Sequence, residues 1–217
     1  LRSHELLVGS VLLYPTAQNT DADREASTVI WHSLKQGSAS TISAVAEAAW
    51  KHSRPGEPLA SLFKEESIFV PAPSSSVHRD DALWVPHMIA TALCERGLGR
   101  GVELLLKRRE PVPRSSGVSS SSSRPEAQQH YDTIDVADQM YPPTSIILVD
   151  DVVTIGRTLM ACALRLIDAF PNTQVVGFSA ARSVRYTHLA TVADMRRPHL
   201  STYRMDQSGY IRHDPPH

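Results

Sequence analysis

Between residues 67 and 183, short apolar runs alternate with segments of helical spacing, and this alternation predicts an α/β sheet with parallel neighbouring strands. SIFV at 67–70 reads as a buried strand that delivers the chain to PAPSSSVHRD, a loop by its Pro and Ser content. A helix is expected from about Leu83 to Glu95, with Pro86 in its first turn and Gly97 ending it. GVELLLKR (101–108) reads as one strand, DTIDV (132–136) as a short one and SIILVDD (145–151) as a central one. Leu159, Cys162, Ala163, Leu166, Ile167 and Phe170 then recur at spacings of three and four, which puts one apolar face on a helix from about Gly156 to Phe170. QVVGFSA supplies the following strand and completes a βαβ unit, whose crossover should be right-handed.

The flanks are less informative. ELLVGSVLLYP predicts a strand near residues 6–13, followed by a helix from about Asp23 to Gln36 that carries Val29, Ile30 and Leu34 at helical spacing and stops at Gly37. A second helix is expected from about Ser40 until SRPGEP interrupts it. Trp31, Trp50 and Trp84 fall at apolar helical positions and read as core. The segment REPVPRSSGVSSSSSRPEAQ contains seven serines and three prolines, too polar for a core and long for a loop in a compact domain. The tail after Arg182 is polar and rich in Arg and His, and the pattern assigns it no element.

Composition narrows the class. Of 217 residues, 41% are hydrophobic and 21% charged, the balance of an ordinary globular chain with one substantial domain. A formal net charge of −1 gives no global basic field to recruit nucleic acid, so an anionic ligand must be held by local positive charge. No apolar run approaches the ~20 residues that span a bilayer. Cys94 and Cys162, both in apolar helical stretches, read as reduced buried thiols, which points to the cytoplasm. The ten histidines are scattered without metal-ligand spacing.

The chemistry concentrates in SIILVDDVVTIGRTLM, residues 145–160. Packing gives no reason to put Asp150 and Asp151 side by side at the end of a buried strand, because unpaired carboxylates there are costly. In an open α/β sheet, ligands bind beyond the carboxyl ends of the strands, where helix N-termini present free N–H groups. Gly156 permits a close backbone approach, Thr154 and Thr158 offer hydroxyls, and the amides of 154–158 can wrap a phosphate. Two carboxylates beside that cradle suit a diol or a hydrated Mg²⁺, so a sugar 5-phosphate would satisfy both halves. Acid pairs also occur in receiver-like domains, but near the first strand and without a T-x-G-x-T turn.

IILVDDVVTIGRTL closely resembles the phosphoribosyl-pyrophosphate (PRPP) motif of type I phosphoribosyltransferases: an apolar strand, two acids, two small or apolar residues, then T-x-G-x-T. FVPAPSSSVHR resembles the family's upstream loop, ELLLKR its strand with a basic pair, and the Ser-rich segment its flexible lid; the arrangement looks most like the ComF-like branch. The resemblance covers about residues 67–183. It implies a parallel central sheet with flanking helices, a lid loop and a small hood from terminal segments, but places neither residues 1–66, expected to be a hood or partner-contact region, nor the tail 184–217, expected to join the hood.

By the same resemblance, Asp150 and Asp151 would be the catalytic pair, holding the ribose hydroxyls with Mg²⁺ near them, directly or through water. Thr154, Ile155, Gly156, Arg157 and Thr158 would bind the 5-phosphate. Ser74, Ser75, Ser76, Arg79, Lys107 and Arg108 would lie near the pyrophosphate, and Ser115, Ser116 and Arg124 would belong to the lid. The implied reaction displaces pyrophosphate from PRPP with a base or amine, through an oxocarbenium-like transition state from which the lid excludes water. Position 155 is often Thr in the family and is Ile here, and the cysteine-rich N-terminal metal module of ComF-like relatives has no counterpart before Cys94. A second reading therefore stands beside the enzyme: a catalytically silent module of this fold, acting as a sensor or a subunit of a larger assembly. A homodimer or a partner subunit is consistent with either.

Overall fold

The computed structural model describes residues 1–15, 21–77, 82–113, 126–184 and 195–214. In chain order these form β1 (His4–Pro15), α1 (Asp21–Lys35), α2 (Ala39–Lys51), β2 (Ile68–Pro71), α3 (Val85–Glu95), β3 (Gly101–Val102), β4 (Leu106–Arg108), α4 (Ala127–Asp132), β5 (Ile134–Val136), β6 (Ser145–Val153), α5 (Arg157–Ala169), β7 (Gln174–Val184), β8 (His199–Met205) and β9 (Ile211–His213). Seven strands make one sheet in the order β3-β2-β6-β7-β1-β8-β9. The first five are mutually parallel, and β8 and β9 extend the sheet antiparallel. The result is a mixed α/β fold with a mainly parallel central sheet.

Alternation along β6 builds the core. Ile146 and Leu148 pack on one face with Leu159, Met160, Cys162, Ala163 and Leu166 of α5. Ile147 and Val149 pack on the other with Leu34 of α1, Ile42 and Val45 of α2, and Ile89 and Leu93 of α3. All four β6 side chains are fully buried, as a strand covered by helices on both sides requires. Each contributes ~1.5–3 kcal/mol by leaving water. α5 buries more than the expected stripe: Met160, Ala161 and Leu164 are also inside, while Ile167 is only half-buried.

β1 lies between β7 and β8, an interior position. Residues 1–66 therefore give one strand and two helices to the same sheet and the same core as the central strands. Ser10 and Ser179 share a buried hydrogen bond of 2.7 Å across the β1–β7 pair.

The single strand expected at 101–108 is two strands in two sheets. β3 pairs with β2, whereas β4 pairs antiparallel with β5 in a separate ribbon. Leu104 is 56% exposed while Leu105 and Leu106 are both buried. Two adjacent leucines cannot both point inward from one flat strand, so the chain turns between them, and the unbroken apolar run conceals the bend. Trp50 also departs from expectation: it is partly exposed and covered by the Arg54 guanidinium, 4.2 Å from its ring. Cys162 is buried as expected, while Cys94 is half-buried.

Candidate functional site

At the end of β6 the acidic pair and the 73–77 loop lie side by side. Pro71 pairs with Val149, and the Ala72 N–H donates to the Val149 carbonyl at 2.8 Å, so the 73–77 loop leaves the sheet beside Asp150 and Asp151. Strand alternation gives Asp150 the face of α5 and Asp151 the face of α1. Both side chains fold back along the strand: Asp150 Oδ1 accepts the Asp151 N–H at 2.8 Å and Asp151 Oδ1 accepts the Val152 N–H at 2.7 Å.

A cation that the sequence did not announce completes this pair. Lys35, in the last turn of α1, donates from Nζ to Asp151 Oδ2 at 2.6 Å. Its ammonium also lies 5.0 Å from the Trp31 ring, which packs against Tyr14 at a tilt of 35°. Burial, and then the Asp151 carboxylate, push Asp150 well above the ordinary carboxylate range, while Lys35 and the Asp151 N–H pull it down. Lys35 balances Asp151, and Asp150 is left to hold its proton for want of a second cation. A Mg²⁺, which typically takes one or two carboxylates and fills its remaining positions with water and ligand phosphate, would supply that charge and displace the Asp150 proton. Among the described residues, no group of three or more His, Cys, Asp or Glu side chains could hold an ion as a complete cage.

Beyond Val153 the turn reaches α5. Gly156 caps it with φ 87°, and a Cβ there would stand 2.6 Å from the Tyr203 ring. Glycine is needed twice, for the left-handed backbone and for the close approach. Tyr203, on β8, is buried and backs the turn from behind. Ile155 packs against the α5-side core, so its side chain serves packing. Arg157 pairs with Glu126 at 3.1 Å. Thr158 Oγ1 lies 3.4 Å from His130 Nε2. Thr154 is half-buried beside them.

Of the residues assigned to the pyrophosphate, the structure splits the basic pair. Lys107 is exposed, whereas Arg108 is 2% exposed and turns inward. Arg108 donates from Nε to the Ser74 carbonyl at 3.1 Å, from one terminal nitrogen to Thr133 Oγ1 at 2.6 Å, and from the other to His130 Nδ1 at 3.4 Å. It acts as a strut between the serine loop and α4. Ser74 Oγ donates to the Ser76 carbonyl at 2.6 Å, and the Ser75 carbonyl accepts the Val112 N–H at 2.8 Å, which ties the loop to the chain beyond β4. Arg79, Ser115, Ser116 and Arg124 lie outside the described residues.

Lys35, His130 and Tyr203 were missed by sequence reasoning. Lys35 lies 116 residues from its partner, and no spacing rule links them. His130 sits in a helix of six residues too short for a periodic signal. Tyr203 belongs to a strand whose buried face is His199, Ser201, Tyr203 and Met205, half polar, so the usual alternation is hidden.

No family model matches the sequence, and neither does any curated protein. Among solved structures, the chain is similar to the crystal structure of adenine phosphoribosyltransferase from Leishmania tarentolae, at 17% identity and a TM-score of 0.35, over 67% of this chain and 72% of that one.

Proposed function

We propose that the chain is a phosphoribosyltransferase-type protein that binds PRPP with Mg²⁺ across the acidic turn and displaces pyrophosphate with a nitrogen nucleophile, a nucleobase by class. The observation that carries this reading is the delivery of Asp150 and Asp151 by a buried parallel strand directly into a turn whose left-handed glycine opens a helix. In that arrangement the ribose hydroxyls face the carboxylates and the 5-phosphate meets the amides of 154–158. Mg²⁺ held near Asp150 and Asp151 would supply positive charge to the departing pyrophosphate. The serine loop at 74–76 provides N–H and hydroxyl donors beside it. Lys107 remains on the accessible side for the same anion, and Arg108 shapes the loop instead of reaching for it.

Pyrophosphate release from PRPP in the presence of Mg²⁺, with and without a mixture of purine and pyrimidine bases, tests the proposal. Release that depends on one base establishes transfer and identifies the acceptor. Absence of both release and PRPP binding ends the reading.

One observation favours the silent sensor or subunit as an alternative: an internal ammonium already occupies Asp151. Saturable PRPP binding without consumption would select it.

A further inference from the structure

We infer that His130 is a positioning residue that fixes the Thr158 hydroxyl as a hydrogen-bond donor towards an anionic ligand in the turn. The inference rests on the phosphate-binding reading of that turn and deepens it.

The argument is one of donors and acceptors. An Arg108 terminal nitrogen lies 3.4 Å from His130 Nδ1. A guanidinium can only donate, so Nδ1 must be the accepting, unprotonated nitrogen. In the neutral ring the proton then sits on Nε2, the nitrogen 3.4 Å from Thr158 Oγ1. Nε2 therefore donates, and Oγ1 accepts with a lone pair. The hydroxyl's own hydrogen is left to point elsewhere, and the open side of Thr158, at the first turn of α5, is the side of the turn. A phosphate oxygen is an acceptor only, so a threonine presented in this way is matched to it.

The surroundings hold this state. His130 is 3% exposed and Arg108 is 2% exposed, so neither competes with bulk water. Among the described residues, the charged groups that act on the ring are positive: Arg108 from β4 and Arg157 from α5, which together with burial keep the imidazole neutral. Arg108 is itself anchored by the Ser74 carbonyl and Thr133. The same chain of contacts, Ser74 to Arg108 to His130 to Thr158, joins the serine loop to the acidic turn, so the two halves of the cradle share one rigid support.

Two measurements on the full chain test this. Long-range proton–nitrogen NMR of histidine-labelled protein, with His130 identified by His130→Gln, should show a neutral ring protonated at Nε2 at pH 7. A ring protonated at Nδ1, or a charged ring, overturns the assignment. Calorimetric titration with ribose 5-phosphate should show affinity about tenfold weaker in Thr158→Val and in His130→Leu, with the double variant no weaker than either. His130→Gln, whose amide can still donate to Thr158, should stay within about threefold of wild type. Unchanged affinity in a folded His130→Leu, or losses that simply add, overturns the positioning role. A wild-type chain that binds PRPP but no ribose 5-phosphate refutes the ligand half of this inference alone, and one that binds neither refutes the functional reading as well, whatever tautomer the spectra report.

Discussion

Lys35 Nζ stands 2.6 Å from Asp151 Oδ2 across 116 residues of sequence, so the last turn of α1 is electrostatically part of the acidic turn. Replacing it with Met removes the ammonium that pairs with Asp151. The ligand-free variant should lose ~1–3 kcal/mol of stability, and Mg²⁺ should restore more of its melting temperature than it adds to wild type. Thermal melts with and without Mg²⁺ measure this, and coincident curves for the two proteins would rule out the coupling.

Asp150 gives the opposite result. Its folded-state pKa is raised, chiefly by burial, so the folded chain holds a proton that the unfolded chain releases, and stability falls as pH rises above about 4. Asp150→Asn removes that penalty while keeping the shape. It should raise the melting temperature at pH 7 by roughly 2–5 °C and abolish PRPP binding, as should Asp150→Asn combined with Asp151→Asn. A variant that melts lower, or still binds at wild-type affinity, contradicts the assignment.

Gly156→Ala should cost more than an ordinary surface substitution. It meets a positive φ and the Tyr203 ring together, for a combined loss of ~2–4 kcal/mol. Adding Tyr203→Ala should recover none of the backbone strain and only the steric part of that loss, once the cost of Tyr203→Ala alone is subtracted. Urea unfolding of the four proteins in the cycle separates the contributions, and strict additivity would show that the ring does not touch the turn.

Acid sensitivity should trace to histidines buried as neutral rings. His130 and His199 are each lowered to about 4, mainly by burial. The unfolded chain binds those protons from pH 6.5 downward and the folded chain does not, so stability is full above about 6.5 and declines towards 4. His130→Gln should flatten part of that decline, on the order of 1–3 kcal/mol. Denaturant midpoints between pH 4 and 7 provide the measurement, and an unchanged slope in the variant would remove His130 from the account.

Much of the fold could be read from the pattern because its signals are local. β2, β6, α5 and β7 follow from apolar runs, a helical stripe and the turn residues between them, and the acidic turn itself is contiguous in sequence. Three features could not be read this way. The split of β3 from β4 is hidden inside three leucines. β8 buries His199 and Ser201 where alternation calls for apolar side chains. Lys35 and His130 reach the turn from α1 and α4, through tertiary packing that no window of sequence contains. Arg108 shows the limit at a single residue: Lys107 and Arg108 are equivalent in sequence, and only the β4–β5 register decides which of them turns inward.

The interior position of β1 bears on how the chain reaches this structure. Its neighbours are β7 and β8, residues 174–184 and 199–205, so β1, made before every other strand described, must wait for these partners, which follow it by more than 150 residues. Parallel pairing at that separation carries a large loop-closure cost before any contact repays it. Consolidation of the sheet should accordingly be a late and slow event. Until it occurs, an apolar strand open on both edges is the segment most exposed to misassociation with other chains.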